Sequence, residues 1–142
     1  MKCQDLMKTD VHCAKESDTV QSAARKMRDE NIGFLPVCNE SGRVVGTLTD
    51  RDVAIRLATE DRRSDECRVD EIMTREVVAC RPSDDLAQAE RLMATSKKSR
   101  IVVLDQGGEL RGVISLSDVA ERDSATRAAV TMRNVSARET RP

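Results

Sequence analysis

Apolar residues along this chain fall into two alternating patterns. Val20, Ala23, Ala24 and Met27 recur at i, i+3, i+4 and i+7 and put one apolar stripe on a helix; Leu86, Ala89 and Met93, with Leu92 beside them, repeat it. A stripe of this kind suits a core face or a partner-docking surface, and amphipathic spacing favours core. Short apolar runs predict strands over Val11-His12-Cys13-Ala14, Phe34-Leu35-Pro36-Val37-Cys38 and Val44-Val45-Gly46-Thr47-Leu48. They recur at Val77-Val78-Ala79-Cys80, Arg100-Ile101-Val102-Val103-Leu104 and Leu110-Arg111-Gly112-Val113-Ile114. Turn residues Ser41-Gly42 and Gln106-Gly107-Gly108 join the last two strands of each set into a hairpin. Ser17-Asp18 and Ser83-Asp84 are the N-cap candidates of the first helix of each set. Asn31 and Gly33 close the earlier one, and a second helix begins at Thr49 or Ser115. Pro36 has no donor for a ladder, so its strand should be an edge or break locally there.

The whole pattern reads twice. Sliding the chain against itself by 66 residues, without a gap, pairs Met7 with Met73, Ser17 with Ser83, Met27 with Met93, Gly46 with Gly112 and Asp52 with Asp118. A unit of about fifty residues rarely buries enough apolar surface alone. The expectation is therefore an α/β fold of the α+β type, two β-α-β-β-α repeats packed face to face about a pseudo-twofold axis. The repeats are placed at 1–58 and 71–123, with a charged, solvated connector at 59–70 and a partly disordered tail at 124–142. In that tail Ala125, Ala128, Ala129 and Met132 could line a short helix, with fraying from Asn134.

Charge and composition narrow the classes. With 24 basic and 25 acidic residues and no polybasic block, the footprint of a nucleic-acid or membrane-surface binder is missing. The tail arginines Arg127, Arg133, Arg138 and Arg141 are thin support for an acidic partner. The start carries no apolar leader and no stretch approaches a spanning helix, which places the protein in the cytoplasm. Phe34 is the only aromatic residue, so a planar ligand must be held by aliphatic walls. Cys3, Cys13, Cys38, Cys67 and Cys80 lack metal-ligand spacing, and with His12 as the single imidazole no zinc site is expected. Neighbouring strands could bring Cys13 and Cys38 together as a disulfide. Their repeat partners Ala79 and Leu104 are apolar, which favours buried reduced thiols instead. His12 and Cys13 are strand neighbours pointing to opposite faces, so they do not form a nucleophile and base.

Two segments carry candidate chemistry: Gly46-Thr47-Leu48-Thr49-Asp50-Arg51-Asp52 and Gly112-Val113-Ile114-Ser115-Leu116-Ser117-Asp118. Thr49-x-x-Asp52 and Ser115-x-x-Asp118 are capping signatures whose hydroxyl and carboxylate satisfy amides at a helix start. The same groups suit a ligand. Free N–H groups and a hydroxyl attract phosphate, and a carboxylate accepts two hydrogen bonds from a ribose diol.

The doubled unit with Gly-h-h-[Ser/Thr]-x-x-Asp at its second helix (h apolar), preceded by Asn31-Ile32-Gly33-Phe34-Leu35-Pro36-Val37, resembles the CBS domain, named after cystathionine β-synthase, in a tandem pair. The resemblance runs from about Asp5 to Arg122, and the chain looks like the small stand-alone bacterial proteins of that family. It implies a non-catalytic sensor that binds an adenine nucleotide (AMP, ADP or ATP, less often S-adenosylmethionine or NAD) in the cleft between the repeats. By position, Asp52 and Asp118 would hold ribose hydroxyls, and Thr49 and Ser115 would approach phosphate or ribose. Val11 and Val77, with Thr9 and Thr74, would form the adenine-side wall from the first strand, and Leu35-Pro36 and Ile101-Val102 would close the other side. Arg100 and Arg51 would neutralise phosphate, since a guanidinium matches two phosphate oxygens. Val102 stands where the family often has proline, and Phe34 occupies the position where the second repeat has Arg100, so the second site is better suited to phosphate. The family also implies a homodimer and a protein regulated in trans.

Two other readings stay open: an interaction scaffold in which Asp52 and Asp118 only cap helices, and a redox-responsive protein using Cys13 and Cys38. An enzyme is not expected, because no acid, base and nucleophile recur at useful spacing.

Overall fold

A computed structural model describes residues 1–122 and 125–137, and the side chains of all of these except 125–128. In chain order the elements are α1 (Cys3–Leu6), β1 (Ala14–Lys15), α2 (Val20–Glu30), β2 (Phe34–Cys38), β3 (Val44–Thr49), α3 (Asp50–Glu60), α4 (Val69–Ile72), β4 (Ala79–Cys80), α5 (Leu86–Ser96), β5 (Arg100–Leu104), β6 (Leu110–Ser115), α6 (Leu116–Arg122) and α7 (Ala125–Ser136). The chain divides into two compact units, His12–Val77 and Met1–Val11 together with the chain from Val78 onward. The stretch before each repeat's first strand thus belongs to the unit that contains the other repeat's hairpin.

In the unit His12–Val77 the sheet order is β1-β2-β3, with β1 parallel and β3 antiparallel to β2. The first strand is shorter than the apolar run predicts: His12 and Cys13 stand outside it, and pairing starts at Ala14, opposite Val37. β2 is central, not an edge, and Pro36 is tolerated by a local break. The β1 ladder covers only Val37 and Cys38, so at Pro36 no N–H is required on that side. In the other unit the equivalent Val102 does have an N–H, and it donates to the Val78 carbonyl at 3.2 Å.

Thr19, not Ser17-Asp18, caps α2. Its Oγ1 accepts from the Ser22 N–H at 3.1 Å, while Asp18 Oδ2 accepts from Lys15 N at 2.9 Å and closes the preceding turn. Asp85 stands at the N-cap of α5, its N–H donating to Gln88 Oε1 at 3.1 Å, and Asp84 Oδ2 accepts from Arg81 N at 2.9 Å in the preceding turn. The reason lies in the connector. Val20 N–H donates to Cys67 O and Val69 N–H to Asp18 O, both at 2.8 Å, which fixes where α2 can start. Although the connector's charged residues are largely exposed, Cys67 and Val69 are buried in this unit's core with Ala14, Val20, Ala23, Met27, Leu35, Val37 and Leu48. The α2 stripe is therefore core, as its spacing suggests.

The second unit repeats the arrangement, with sheet order β4-β5-β6 and a core of Cys3, Cys80, Leu86, Ala89, Met93, Ile101, Val103, Ile114, Val119 and Val135. Helix α7 packs against α5 and α6. It continues past Asn134 to Ser136 because Val135 (2% exposed) and Thr131 (4%) are buried, whereas Ala129 and Met132 are exposed. The expected roles of Ala125, Arg127 and Ala128 fall on side chains outside those described, as do Arg138 and Arg141 with the end of the tail.

Candidate functional site

Each unit builds one version of the same junction. In the unit His12–Val77, β3 runs directly into α3, and Thr49 is the hinge between them. Thr49 Oγ1 accepts from Asp52 N–H at 3.1 Å, and Asp52 Oδ2 accepts from Thr49 N–H at 3.0 Å, a reciprocal capping box. Alternation along β3 puts Thr47 and Thr49 on one face and Leu48 in the core. Thr74 lies beside Thr47, each N–H donating to the other's carbonyl at 2.9 Å. That crossing explains the glycine of the motif. A Cβ on Gly46 would stand 2.7 Å from Met73 Sδ and 2.8 Å from Thr74 O, so only glycine lets the strand and the crossing segment meet.

In the other unit β6 runs into α6 through Ser115. Asp118 N–H donates to Ser115 Oγ at 3.2 Å, and Asp118 Oδ2 lies 3.4 Å from Ser115 N. Lys8 occupies the place that Thr74 has in the first unit, bridged to Val113 by two main-chain hydrogen bonds of 3.0 Å. A Cβ on Gly112 would meet Lys8 O at 2.8 Å. The Lys8 ammonium then reaches Asp118, with Nζ 3.5 Å from Oδ1. Arg100 is the cross-strand partner of Ser115, so its stem stands over the same face. Phe34 holds that place opposite Thr49.

The expected site residues thus separate. Pro36 and Val102, both buried, lie on the strand face shared by Thr49 or Ser115, whereas Leu35 and Ile101 belong to the hydrophobic cores on the opposite face. The period of two sends neighbours along a strand to opposite sides. Arg51 is exposed in the first turn of α3, and the half-buried Val77 shares a unit with Thr49, Asp52 and Thr74. Exposed Thr9 and half-buried Val11 go instead with Ser115, Asp118 and Arg100. Neither Val11 nor Val77 is in a strand; both lie on the irregular segments ahead of β1 and β4. Thr47 and Lys8 are additional groups on these faces. Aligning Lys8 with Thr74 in the repeat is the signal that marks Lys8, together with its basic side chain.

Four of the five thiols form two neighbourhoods. Burial and a hydrogen bond with Cys13 push the Cys38 thiol up to about 12. In the other unit the Cys80 thiol donates to Cys3 Sγ at 3.5 Å. Among the described residues no group of three or more His, Cys, Asp or Glu side chains could hold a metal, and no helix is long and apolar enough to cross a membrane. His12 Nε2 lies 2.9 Å from Glu30 Oε1.

The doubled junction on paired β-α-β-β-α units defines the class, and sequence comparison gives the family. A family model described as "CBS domain" matches residues 3–59 and again 69–125. The chain belongs to the CBS-domain family. It is 38% identical over 117 residues to the CBS domain-containing protein YhcV of Bacillus subtilis, covering 82% of this chain and 81% of that one. The CBS domain pair of MJ0100, solved in complex with 5-methylthioadenosine and S-adenosyl-L-methionine, has a TM-score of 0.76 at 24% identity, over 85% of this chain and 94% of that one. The cytosolic domain of the Mg2+ channel MgtE in complex with ATP has a TM-score of 0.74 at 29% identity, over 84% of this chain but only 48% of that one.

Proposed function

We propose that this chain is a non-catalytic sensor module whose ligand is an adenine nucleotide, AMP, ADP or ATP, with S-adenosylmethionine and NAD as weaker candidates. The observation that carries the reading is the gathering of Lys8, Arg100, Ser115 and Asp118 around one strand-to-helix junction. A carboxylate and a hydroxyl there suit a ribose diol, and two cations beside them suit a phosphate. The junction at Thr49 and Asp52 keeps the hydroxyl and carboxylate but has Thr74 and Phe34 where the other has Lys8 and Arg100. It suits a nucleoside with less charge. The adenosine compounds bound by the MJ0100 pair and the ATP bound by the MgtE domain support the ligand class. Signalling needs no reaction: a ligand that binds one arrangement of the protein more tightly shifts the population toward it. A cytoplasmic homodimer reporting to a partner protein is the setting we propose.

The completed capping boxes favour a second reading, a scaffold in which Asp52 and Asp118 serve only their helices. Calorimetric melting separates the two, since the chain has no Trp or Tyr for fluorescence. A ligand at a hundred times its Kd adds about 2.7 kcal/mol, several degrees in Tm. A shift with one of AMP, ADP, ATP, S-adenosylmethionine or NAD supports the sensor and identifies its signal. No shift with any of them, from protein free of copurified nucleotide, supports the scaffold.

A further inference from the structure

Cys3 and Cys80 are far apart in sequence, yet their Sγ atoms stand 3.5 Å apart within one core, 0% and 4% exposed. Packing does not require thiols there. The repeat-equivalent positions are Val69 and Ala14, both fully buried in the core of the other unit. The contact is also held from outside. Cys3 N–H donates to Asp84 O, Gln4 N–H to Pro82 O and Leu86 N–H to Met1 O, each at 2.9 Å, which clips the four-residue α1 to the turn that follows β4. We propose that Cys3 and Cys80 are a disulfide-forming modification site, oxidised by a hydroperoxide and reversed by a small dithiol, that staples the N-terminal arm to its unit.

The chemistry starts from the existing hydrogen bond. Because the Cys80 thiol donates to Cys3 Sγ, Cys3 is held below its usual range and is the nucleophile, while the same bond and burial raise Cys80. Local opening of α1, a single turn of four residues, admits the oxidant. The Cys3 thiolate attacks one peroxide oxygen, the O–O bond breaks, and the departing alkoxide or hydroxide takes a proton, leaving a sulfenic acid on Cys3. Cys80 then gives up its proton and attacks that sulfur, the S–O bond breaks, and hydroxide leaves as water. The two sulfurs lose two electrons and the peroxide gains them. A closing motion of about 1.5 Å brings the sulfurs to bonding distance near 2.05 Å, within reach of side-chain rotation.

The staple does not depend on nucleotide binding, and its test involves none. Native protein is treated with hydrogen peroxide, alkylated and mapped by tryptic mass spectrometry, with a dithiothreitol-treated portion alongside. The expected result is a mass about 2 Da lower with the peptide beginning at Cys3 joined to the one beginning at Glu76, reversed by dithiothreitol. Because the link closes nearly the whole first repeat into a loop, Tm should rise by about 10 °C on oxidation, a rise that Cys3→Ser abolishes. Recovery of Cys3 as a free alkylated thiol or as sulfinic acid, or its linkage to Cys13, Cys38 or Cys67, overturns the proposal. So does a Cys3–Cys80 link that forms only in denaturant. The mapping uses the unsubstituted chain, so the conclusion stands even if Cys3→Ser folds poorly.

Discussion

Lys8 Nζ stands 3.5 Å from Asp118 Oδ1, and the equivalent junction has Thr74 in place of the lysine. The ammonium is largely exposed and the carboxylate largely covered (71% and 14% side-chain exposure), so the pair itself contributes about 0–1 kcal/mol to stability. Lys8→Thr copies the other junction. It should leave Tm nearly unchanged while weakening ATP about tenfold and adenosine hardly at all, since only the phosphates gain a charged partner. Isothermal titration with both ligands checks this, and equal losses for the two would remove Lys8 from the phosphate side.

Asp118→Ala removes both a cap and the proposed ribose acceptor. A lost cap costs about 0.5–2 kcal/mol of stability. A lost charge-assisted contact costs about 1.5–3 kcal/mol of nucleotide affinity, a factor of about ten to a hundred. Unchanged affinity in a folded variant would show that Asp118 serves only its helix.

Thr19→Ala and Thr49→Ala each delete a capping hydroxyl, on α2 and α3 respectively. Both should lower stability by about 1 kcal/mol, read by urea unfolding. Only Thr49→Ala should also weaken the ligand, because only that hydroxyl faces the candidate site. A matching affinity loss in Thr19→Ala would mean that the effect is global destabilisation.

Gly46→Ala and Gly112→Ala place a methyl 2.8 Å from the carbonyls of Thr74 and Lys8. The crossing backbone must shift, at a cost of about 1–3 kcal/mol. Gly107→Ala, whose new methyl meets only Asp105 Oδ1 at 3.4 Å, is the control. Melting temperatures should fall by several degrees in the first two variants and by little in the third.

Cys38 supplies a pH dependence with a definite sign. Burial first, then its hydrogen bond with Cys13, raise the folded thiol from 9.0 to about 12. Between those values the unfolded chain has lost a proton that the folded one keeps, so this contribution is whole below about pH 9 and fades as pH rises toward 12. Melting followed from pH 8 to pH 11 should show a shallower alkaline decline in Cys38→Ala than in the parent protein. An identical decline would mean that Cys38 titrates as it does in the unfolded chain.

The doubling, the β-α-β-β-α order of each repeat and the family were legible in the sequence because each rests on short-range regularities, whereas the one-turn helices α1 and α4 were not. The Val20 to Met27 stripe needs only the helical period, the hairpins only their turn residues, and the Thr49-x-x-Asp52 box only four adjacent residues. Tertiary structure decided whatever depends on segments distant in sequence. The connector's hydrogen bonds at Asp18 and Val20 moved the α2 cap to Thr19, and the short reach of β1 made Pro36 acceptable in a central strand. Alternation against the core took Leu35 and Ile101 off the candidate face. The arm ahead of each first strand joins the hairpin of the other repeat, and this alone brings Lys8 to Asp118 and Cys3 to Cys80. A local pattern specifies what a segment becomes; which distant segment it meets follows from burying the apolar faces of α1 and α4, and a linear reading holds no trace of that contact.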